Sequence, residues 1–304
     1  MTRVAAIDCG TNALRLLIAD VDDSGALTDV VRLMRTVRLG EGVDRTGEFS
    51  SAALERTFAV CDEYAAMIGS HGVARSRFVA TSASRDVSNR AQFVEGVIAR
   101  MGIAPEVIEG TEEAGLSYEG ATRSLTGVVA PALVVDIGGG STEFVLGEQS
   151  VSVNIGCVRM TERHLRSDPP TEAEIDLVRA DLAEAMRRAG ESVDLRAAGT
   201  LVGVAGTVTT VAARALGLDS YDPAVLHGAV IEREPLERAM AELVAMSRAE
   251  RAALPYMHPG RVDVIGGGAL VLGAVVDAVG LPRLTVSECD ILDGIAYRLA
   301  SATR

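Results

Sequence analysis

Asp136-Ile137-Gly138-Gly139-Gly140-Ser141-Thr142-Glu143 stands between two apolar runs, Ala132-Leu133-Val134-Val135 before it and Phe144-Val145-Leu146 after it. The pattern is a strand, an acid, a tight glycine turn with a hydroxyl, and a second strand. Glycine lets backbone N–H groups approach phosphate oxygens closely, and the serine hydroxyl adds a donor. An Asp at a strand end can hold a metal ion or a metal-bound water. The pattern also occurs near the start of the chain. There Asp8-Cys9-Gly10-Thr11-Asn12 follows Val4-Ala5-Ala6-Ile7 and precedes Leu14-Arg15-Leu16-Leu17-Ile18-Ala19. A single such loop is equally well explained as a hairpin turn. Two copies, each with an acid, glycine and a hydroxyl, point to two related halves gripping one phosphorylated ligand in the cleft between them.

A chain of 304 residues exceeds a usual single core, so two domains are expected. Hydrophobic residues make up 48% of it, enough for well-packed domains, while aromatic content is 3% with no Trp. Stacking of bases or sugars therefore has few side chains to work with. The net charge of −13 argues against general nucleic-acid binding. Every cation is Arg, and a chain without Lys cannot carry a Walker-type phosphate loop. Arg32, Arg35, Arg38, Arg45, Arg85 and Arg90 form the basic segments, and each taken alone reads as a solvated face. Cys9, Cys61, Cys157 and Cys289 lack disulfide or zinc spacing, and His71, His164, His227 and His258 share no metal spacing. No apolar stretch reaches transmembrane length and nothing reads as a signal peptide, so a soluble cytoplasmic protein without membrane contact is expected.

Working outward, strands alternate with helices, which predicts an α/β fold with mixed sheets. A third strand is expected over 27–39 and a loop over 40–47. A helix is expected over 51–70 with Ser50 or Ser51 as cap, a strand over 77–81, and a helix near 89–101. A strand near 105–108 leads into a helix opening at Glu109-Gly110-Thr111-Glu112-Glu113. In the second half, helices are expected near 171–189, capped by Thr171 after Pro169-Pro170, and near 234–245. Leu201 to Thr210 reads as a strand ending in a Gly206-Thr207 turn and a helix start. Val262 to Ala269, with Gly266-Gly267-Gly268, reads as a further glycine loop introducing a helix over 270–279. A last strand over 284–287 and a helix over 293–302 close the chain. The expected lobes are 1–123 and 124–304, with the closing segment 290–304 able to return to the first.

With these pieces in order, the chain resembles the actin/Hsp70/sugar-kinase superfamily. More specifically it resembles the exopolyphosphatase/guanosine pentaphosphate phosphohydrolase family. The match runs through Ile7 to Asn12, Arg38-Leu39-Gly40-Glu41-Gly42-Val43-Asp44, Ala80-Thr81-Ser82-Ala83-Ser84-Arg85-Asp86, Gly110-Thr111-Glu112-Glu113-Ala114, Asp136 to Glu143, Gly156-Cys157-Val158-Arg159-Met160-Thr161-Glu162 and Thr285-Val286-Ser287-Glu288. The resemblance implies two ribonuclease-H-like lobes with the active site between them. It implies release of terminal phosphate from inorganic polyphosphate, or of the 5′ γ-phosphate from guanosine pentaphosphate. It carries the general base to Glu113, with Glu112 in reserve, and a phosphate contact to Arg85. It carries the metal and its water to Asp136 and Glu143. Phosphate binding goes to Asp8, Gly10, Thr11 and Asn12, to Gly138, Gly139, Gly140 and Ser141, and to Gly206 and Thr207. Mg2+ is the implied cofactor, with Mn2+ as a substitute and a monovalent cation as a possible addition, and a homodimer is the implied assembly.

Such chemistry is coherent, because hydrolysis of a phosphoanhydride needs an oriented water, a base and charge neutralisation on the moving phosphoryl group. Position 13 is Ala where the family has Ser or Thr. The chain also ends without the C-terminal helical domains of longer members, which directs the expectation to short polyphosphate. Three alternatives stay open: a guanosine pentaphosphate phosphohydrolase, a low-turnover sensor of alarmone or polyphosphate, and a sugar or acetate kinase. The Glu112-Glu113 pair argues against the last.

Overall fold

The structure is a computed structural model that describes residues 1–301. In chain order the elements begin with β1 (Thr2–Cys9), β2 (Ala13–Val21), β3 (Leu27–Thr36), α1 (Val43–Thr46), α2 (Ser51–Ser70), β4 (Arg75–Ala80), α3 (Ser82–Arg85), α4 (Arg90–Met101), β5 (Pro105–Val107) and α5 (Gly110–Ser124). They continue with β6 (Ala132–Ile137), β7 (Thr142–Leu146), β8 (Gln149–Val153), α6 (Cys157–His164), α7 (Glu172–Ser192), β9 (Thr200–Val204), α8 (Ala205–Ala215), α9 (Pro223–Leu226) and β10 (Val230–Glu232). The last are α10 (Arg233–Ala245), α11 (Arg248–Ala252), α12 (Ile265–Val279), β11 (Arg283–Val286) and α13 (Ile291–Ser301). Ala302, the end of the expected closing helix, lies outside the described residues. The chain divides into two compact units, Met1–Gly120 with the chain from Ile291 onward, and Ala121–Asp290.

In the first unit the sheet order is β3-β2-β1-β4-β5. β1 to β3 run antiparallel, and β4 and β5 continue parallel to β1. The second unit repeats this as β8-β7-β6-β9-β11, with β10 added antiparallel on the β11 edge. Both are ribonuclease-H-like mixed sheets. The repeated strand–turn–strand sequence lies at the centre of each, in β1–β2 and in β6–β7.

Alternation along the strands divides the first unit's core into two faces, because successive side chains point to opposite sides of a sheet. Ala5, Ile7 and Cys9 pack with Leu54, Tyr64, Phe93 and Val97 of α2 and α4. Val4 and Ala6 pack on the other face with Ile291, Leu292 and Ile295 of α13 and Leu116 of α5. Gly294 lets α13 cross α5 closely, since a Cβ there would lie 2.0 Å from the Leu116 carbonyl oxygen. Asp293, buried in the first turn of α13, takes the Arg32 guanidinium of β3 at 2.6 Å. The second unit has one large core built from β6, β7, β9 and β11 with α7, α8, α10 and α12. Among the described residues, no helix is long and apolar enough to cross a membrane.

Local chemistry explains the helix starts. Ser50 accepts from the Ala53 N–H and caps α2. Thr171 and Glu174 form a reciprocal capping box on α7. Glu174 takes the N–H groups of Thr171, Arg166 and Ser167, which hold its carboxyl down to about 2 from an ordinary 4.5. A carboxyl depressed in the fold supplies stability that is complete above its unfolded value and lost as pH falls toward the folded one. Glu174→Gln should therefore flatten the fall in unfolding free energy between pH 4.5 and about 2. Urea midpoints across that window test this, and parallel curves for variant and parent would refute it.

Three expectations change. The third strand stops at Thr36 rather than residue 39, because the N–H groups of Val37 and Arg38 turn to the Asn12 carbonyl at 3.0 and 2.8 Å. The 40–47 segment holds the short helix α1. The third concerns Gly266-Gly267-Gly268, which is not a loop. It forms the first turns of α12, fully buried. A Cβ on Gly267 would lie 2.5 Å from Thr161 Oγ1, and one on Gly268 2.7 Å from Thr207 Oγ1. These glycines permit helix contact, not backbone turning.

Candidate active site

In the first unit the parallel strands β1, β4 and β5 end side by side, at Cys9, Ala80 and Val107. The carboxyl ends of parallel strands are where α/β sheets place ligands. Three candidate pieces follow these ends directly: the Gly10–Asn12 turn, α3 and the start of α5. The turn is closed by the Gly10 N–H on the Ala13 carbonyl at 3.0 Å. Its own carbonyls are bound from behind. Thr11 accepts from the Gly40 N–H at 2.8 Å, and Asn12 accepts from Val37 and Arg38. Arg38 takes a left-handed φ of 50° to make this contact, a conformation that costs on the order of 1 kcal/mol outside glycine. Thr11 and Ser82 share a hydroxyl hydrogen bond of 3.0 Å that joins the turn to α3.

Arg85 and Glu113 meet. Arg85 Nη1 donates to Glu113 Oε2 and to the Ile108 carbonyl, each at 2.9 Å. Glu113 is buried, in the first turn of α5. Its neighbour Glu112 is different: its side chain is 39% exposed and takes Arg77 Nη2 at 2.7 Å on the surface. Arg90, from the basic segments, staples α3 by donating to the Ser84 and Arg85 carbonyls, each at 2.7 Å. Arg35 pairs with Glu63 at 2.7 Å. Asp8 has a partner that sequence reasoning missed. Arg15, directly opposite on β2, donates Nε and Nη2 to Asp8 Oδ2 at 2.9 and 2.7 Å.

The second unit repeats the arrangement. β6, β9 and β11 are parallel and end at Ile137, Val204 and Val286, followed by the Gly138–Ser141 turn, the start of α8, and Ser287-Glu288. The Gly138 N–H closes the turn on the Ser141 carbonyl at 3.0 Å. The first turn of α6 backs it. Cys157 N–H donates to Gly138 O at 3.0 Å, Val158 and Arg159 N–H to Gly139 O at 2.9 and 3.1 Å, and Arg159 Nε to Gly140 O at 2.7 Å. The helix start and the loop carbonyls thus satisfy each other. Among the described residues, no acceptor takes the backbone N–H of Gly139 or Gly140. Such amides are what an anion-binding turn needs.

Asp136, Glu143 and Ser152 lie in one row across β6, β7 and β8, so all three point to one face. Glu143 is 1% exposed, and its Oε1 accepts from Ser141 Oγ at 2.7 Å and Ser152 Oγ at 2.6 Å. Ser152 was not foreseen, because its role comes from strand register. Among the described residues, no group of three His, Cys, Asp or Glu could hold a metal. Two carboxylates nevertheless fit Mg2+, which keeps waters and takes further ligands from substrate phosphates.

Gly206 and Thr207 stand in the first turn of α8, where Ala205 has a left-handed φ of 68°. The Arg261 guanidinium lies over Gly206, and Arg261 Nη1 donates to Thr210 Oγ1 at 3.0 Å. The Thr207 hydroxyl is buried against Gly268 and the Cys157 thiol. Burial pushes that thiol up, as expected of a small packing residue. Glu288 accepts from Tyr221 OH at 2.6 Å, and burial raises that phenol to about 12.

The sequence profile of the Ppx/GppA phosphatase family matches residues 17–302. The chain belongs to that family. It is 50% identical to Exopolyphosphatase 2 of Mycobacterium tuberculosis, over 99% of both proteins. A solved exopolyphosphatase-like protein superposes with a TM-score of 0.95 at 42% identity over 100% of both chains. A Ppx/GppA family member from Aquifex aeolicus superposes at 0.82 with 29% identity, over 100% of this chain and 99% of the other. The family resemblance, the phosphate-releasing enzyme class and the mixed α/β fold expected from the sequence are thereby borne out.

Proposed function

We propose that this protein is an exopolyphosphatase that releases terminal phosphate from inorganic polyphosphate, short chains in particular. The substrate assignment is carried by the 50% identity, across 99% of both chains, to a protein named an exopolyphosphatase. The local geometry supports the chemistry. Glu113, not Glu112, is the base, since Glu112 is exposed and held by Arg77. Glu113 takes the proton of the attacking water, whose oxygen bonds to the terminal phosphorus as the bridging P–O bond breaks. The products are orthophosphate and a chain shorter by one unit. Arg85 orients Glu113 and faces the phosphoryl charge. The Gly139 and Gly140 amides, with Ser141, cradle phosphate oxygens in the second loop, and Gly10 to Asn12 in the first. Asp136 and Glu143 would hold Mg2+, which supplies charge neutralisation on the transferred group. A cytoplasmic location and a homodimer accompany this reading through the family resemblance.

Phosphate release from short polyphosphate, long polyphosphate, guanosine pentaphosphate and ATP, compared with Mg2+ present, tests the substrate. Preference for guanosine pentaphosphate would replace the reading with the nucleotide one, and tight binding without release would make the protein a sensor. Asp136→Ala should raise the Mg2+ concentration for half-maximal activity by about tenfold to a hundredfold, or abolish activity. An unchanged magnesium titration would remove Asp136 from the metal.

A further inference from the structure

α4 begins against the usual rules. A helix start favours a capping side chain and acids in its first turn, because unsatisfied N–H groups and the positive end of the dipole lie there. α4 has neither. Its N-cap, Asn89, makes no capping bond, and its first turn holds no acid. Its first residue is a cation, Arg90. Both side chains are committed elsewhere. Asn89 Oδ1 accepts from the Phe49 N–H and Nδ2 donates to the Phe49 carbonyl, each at 2.9 Å. Arg90 reaches back to α3, where Nε donates to the Ser84 carbonyl and Nη2 to the Arg85 carbonyl, each at 2.7 Å. Where a sequence breaks a local rule, the reason lies in what the residue holds instead.

Arg90 holds the end of a four-residue helix, Ser82–Arg85. So short a helix is unstable alone, and its last carbonyls have no partner within it. Its start has no side-chain cap and is tied by the Thr11–Ser82 hydroxyl bond. Its end carries Arg85, whose Nη1 lies 2.9 Å from Glu113 Oε2 and from the Ile108 carbonyl. A planar guanidinium that grips two successive carbonyls fixes the backbone on both sides of the Arg85 Cα. That sets the direction in which the Arg85 side chain leaves the chain. We infer that Arg90 is a positioning residue: through the α3 backbone it sets the Arg85 guanidinium against Glu113, and with it the rate of phosphate release. The inference rests on the roles proposed for Arg85 and Glu113.

Arg90 is exposed, so its loss opens no cavity, and positioning can be separated from stability. Arg90→Met should move the urea midpoint little. Phosphate release should nevertheless slow about tenfold in kcat, with KM within about threefold of the parent. Arg90→Lys, with one ammonium for two carbonyls, should fall between them. In an Arg85→Met background, followed by single turnovers, Arg90→Met should cost less than about a further twofold. A folded Arg90→Met with parental kcat overturns the inference. So does a slowing as large without Arg85 as with it, which would make Arg90 a general prop of the fold. Should Arg90→Met fail to fold, Arg90→Lys takes its place, and a parental rate for that variant overturns the inference. The Arg85 Nε–H signal in nitrogen NMR spectra, identified by its loss in Arg85→Met, should become less ordered in Arg90→Met. Unchanged order also overturns the inference. A parent that releases no phosphate would overturn the exopolyphosphatase reading alone, because the order of the Arg85 signal is read without turnover.

Discussion

Glu113→Gln should leave the protein folded and lower kcat for phosphate release by about 10² to 10⁴, the usual contribution of a positioned general base. The substitution keeps shape and volume. Its amide oxygen can still accept from Arg85 Nη1, which sits 2.9 Å from Glu113 Oε2 and is also held by the Ile108 carbonyl. The amide cannot take a proton from water, so the chemical step suffers while binding persists. Glu112→Gln is the matched control. That side chain is 39% exposed and bonded to Arg77, and its loss should change kcat by less than about threefold. Unfolding midpoints and single-turnover rates for both variants separate the two residues. Unchanged release by Glu113→Gln would sink the base assignment, and a larger loss for Glu112→Gln would transfer the role.

Gly156→Ala should damage both stability and activity, although the backbone there is ordinary. Its φ of −169° and ψ of 167° are extended values that alanine adopts freely. Space is the obstacle. A Cβ would lie 2.4 Å from the Gly139 carbonyl oxygen, 2.5 Å from its carbon and 2.8 Å from the Gly138 oxygen. These are backbone atoms of the phosphate turn, so no side chain can rotate away. Either α6 retreats or the turn moves, and both break the hydrogen bonds from Cys157, Val158 and Arg159. Overpacking of this kind costs about 1–3 kcal/mol, and displacement of a catalytic element by an ångström costs about a hundredfold in rate. Gly190→Ala in α7 is the control, since nothing lies within 4 Å of its Cβ position. That change should stabilise by up to about 1 kcal/mol. Urea unfolding and phosphate release measured on both variants decide the matter. A Gly156→Ala enzyme with parental stability and rate would show that the turn yields freely.

Much of this was legible in the sequence because the signals were local. The two acid–glycine turns announced themselves by apolar runs on both sides, and they lie at the centres of the two sheets. The helix over 51–70 was readable from its apolar spacing and serine cap, and that over 171–189 from Pro169-Pro170 and Thr171. The exchange of an acid for a cation between the two turns, though not the contact it makes, was within reach too. Arg15 stands as far after Asp8 as Glu143 stands after Asp136, and aligning the turns would have shown it. Ser152 was not within reach, because nothing in its neighbourhood says that β8 places it opposite Glu143.

The sequence by itself determined the alternation of strands and helices, the duplication, and the residue types available for phosphoryl chemistry. These depend on hydrophobic period, turn chemistry and charge within a few residues, and such preferences act before any distant contact forms. Tertiary structure alone decided three things: that Gly266-Gly267-Gly268 is helix, that Glu113 is buried beside Arg85 while Glu112 is surface-bound, and that Asp8 is neutralised across the strand pair. Each of these is settled by what approaches from elsewhere in the chain. A glycine that makes room for Thr161 and a glycine that turns a loop look alike until the neighbour is in place. A carboxylate takes its function from the cation or hydroxyl that the register sets against it.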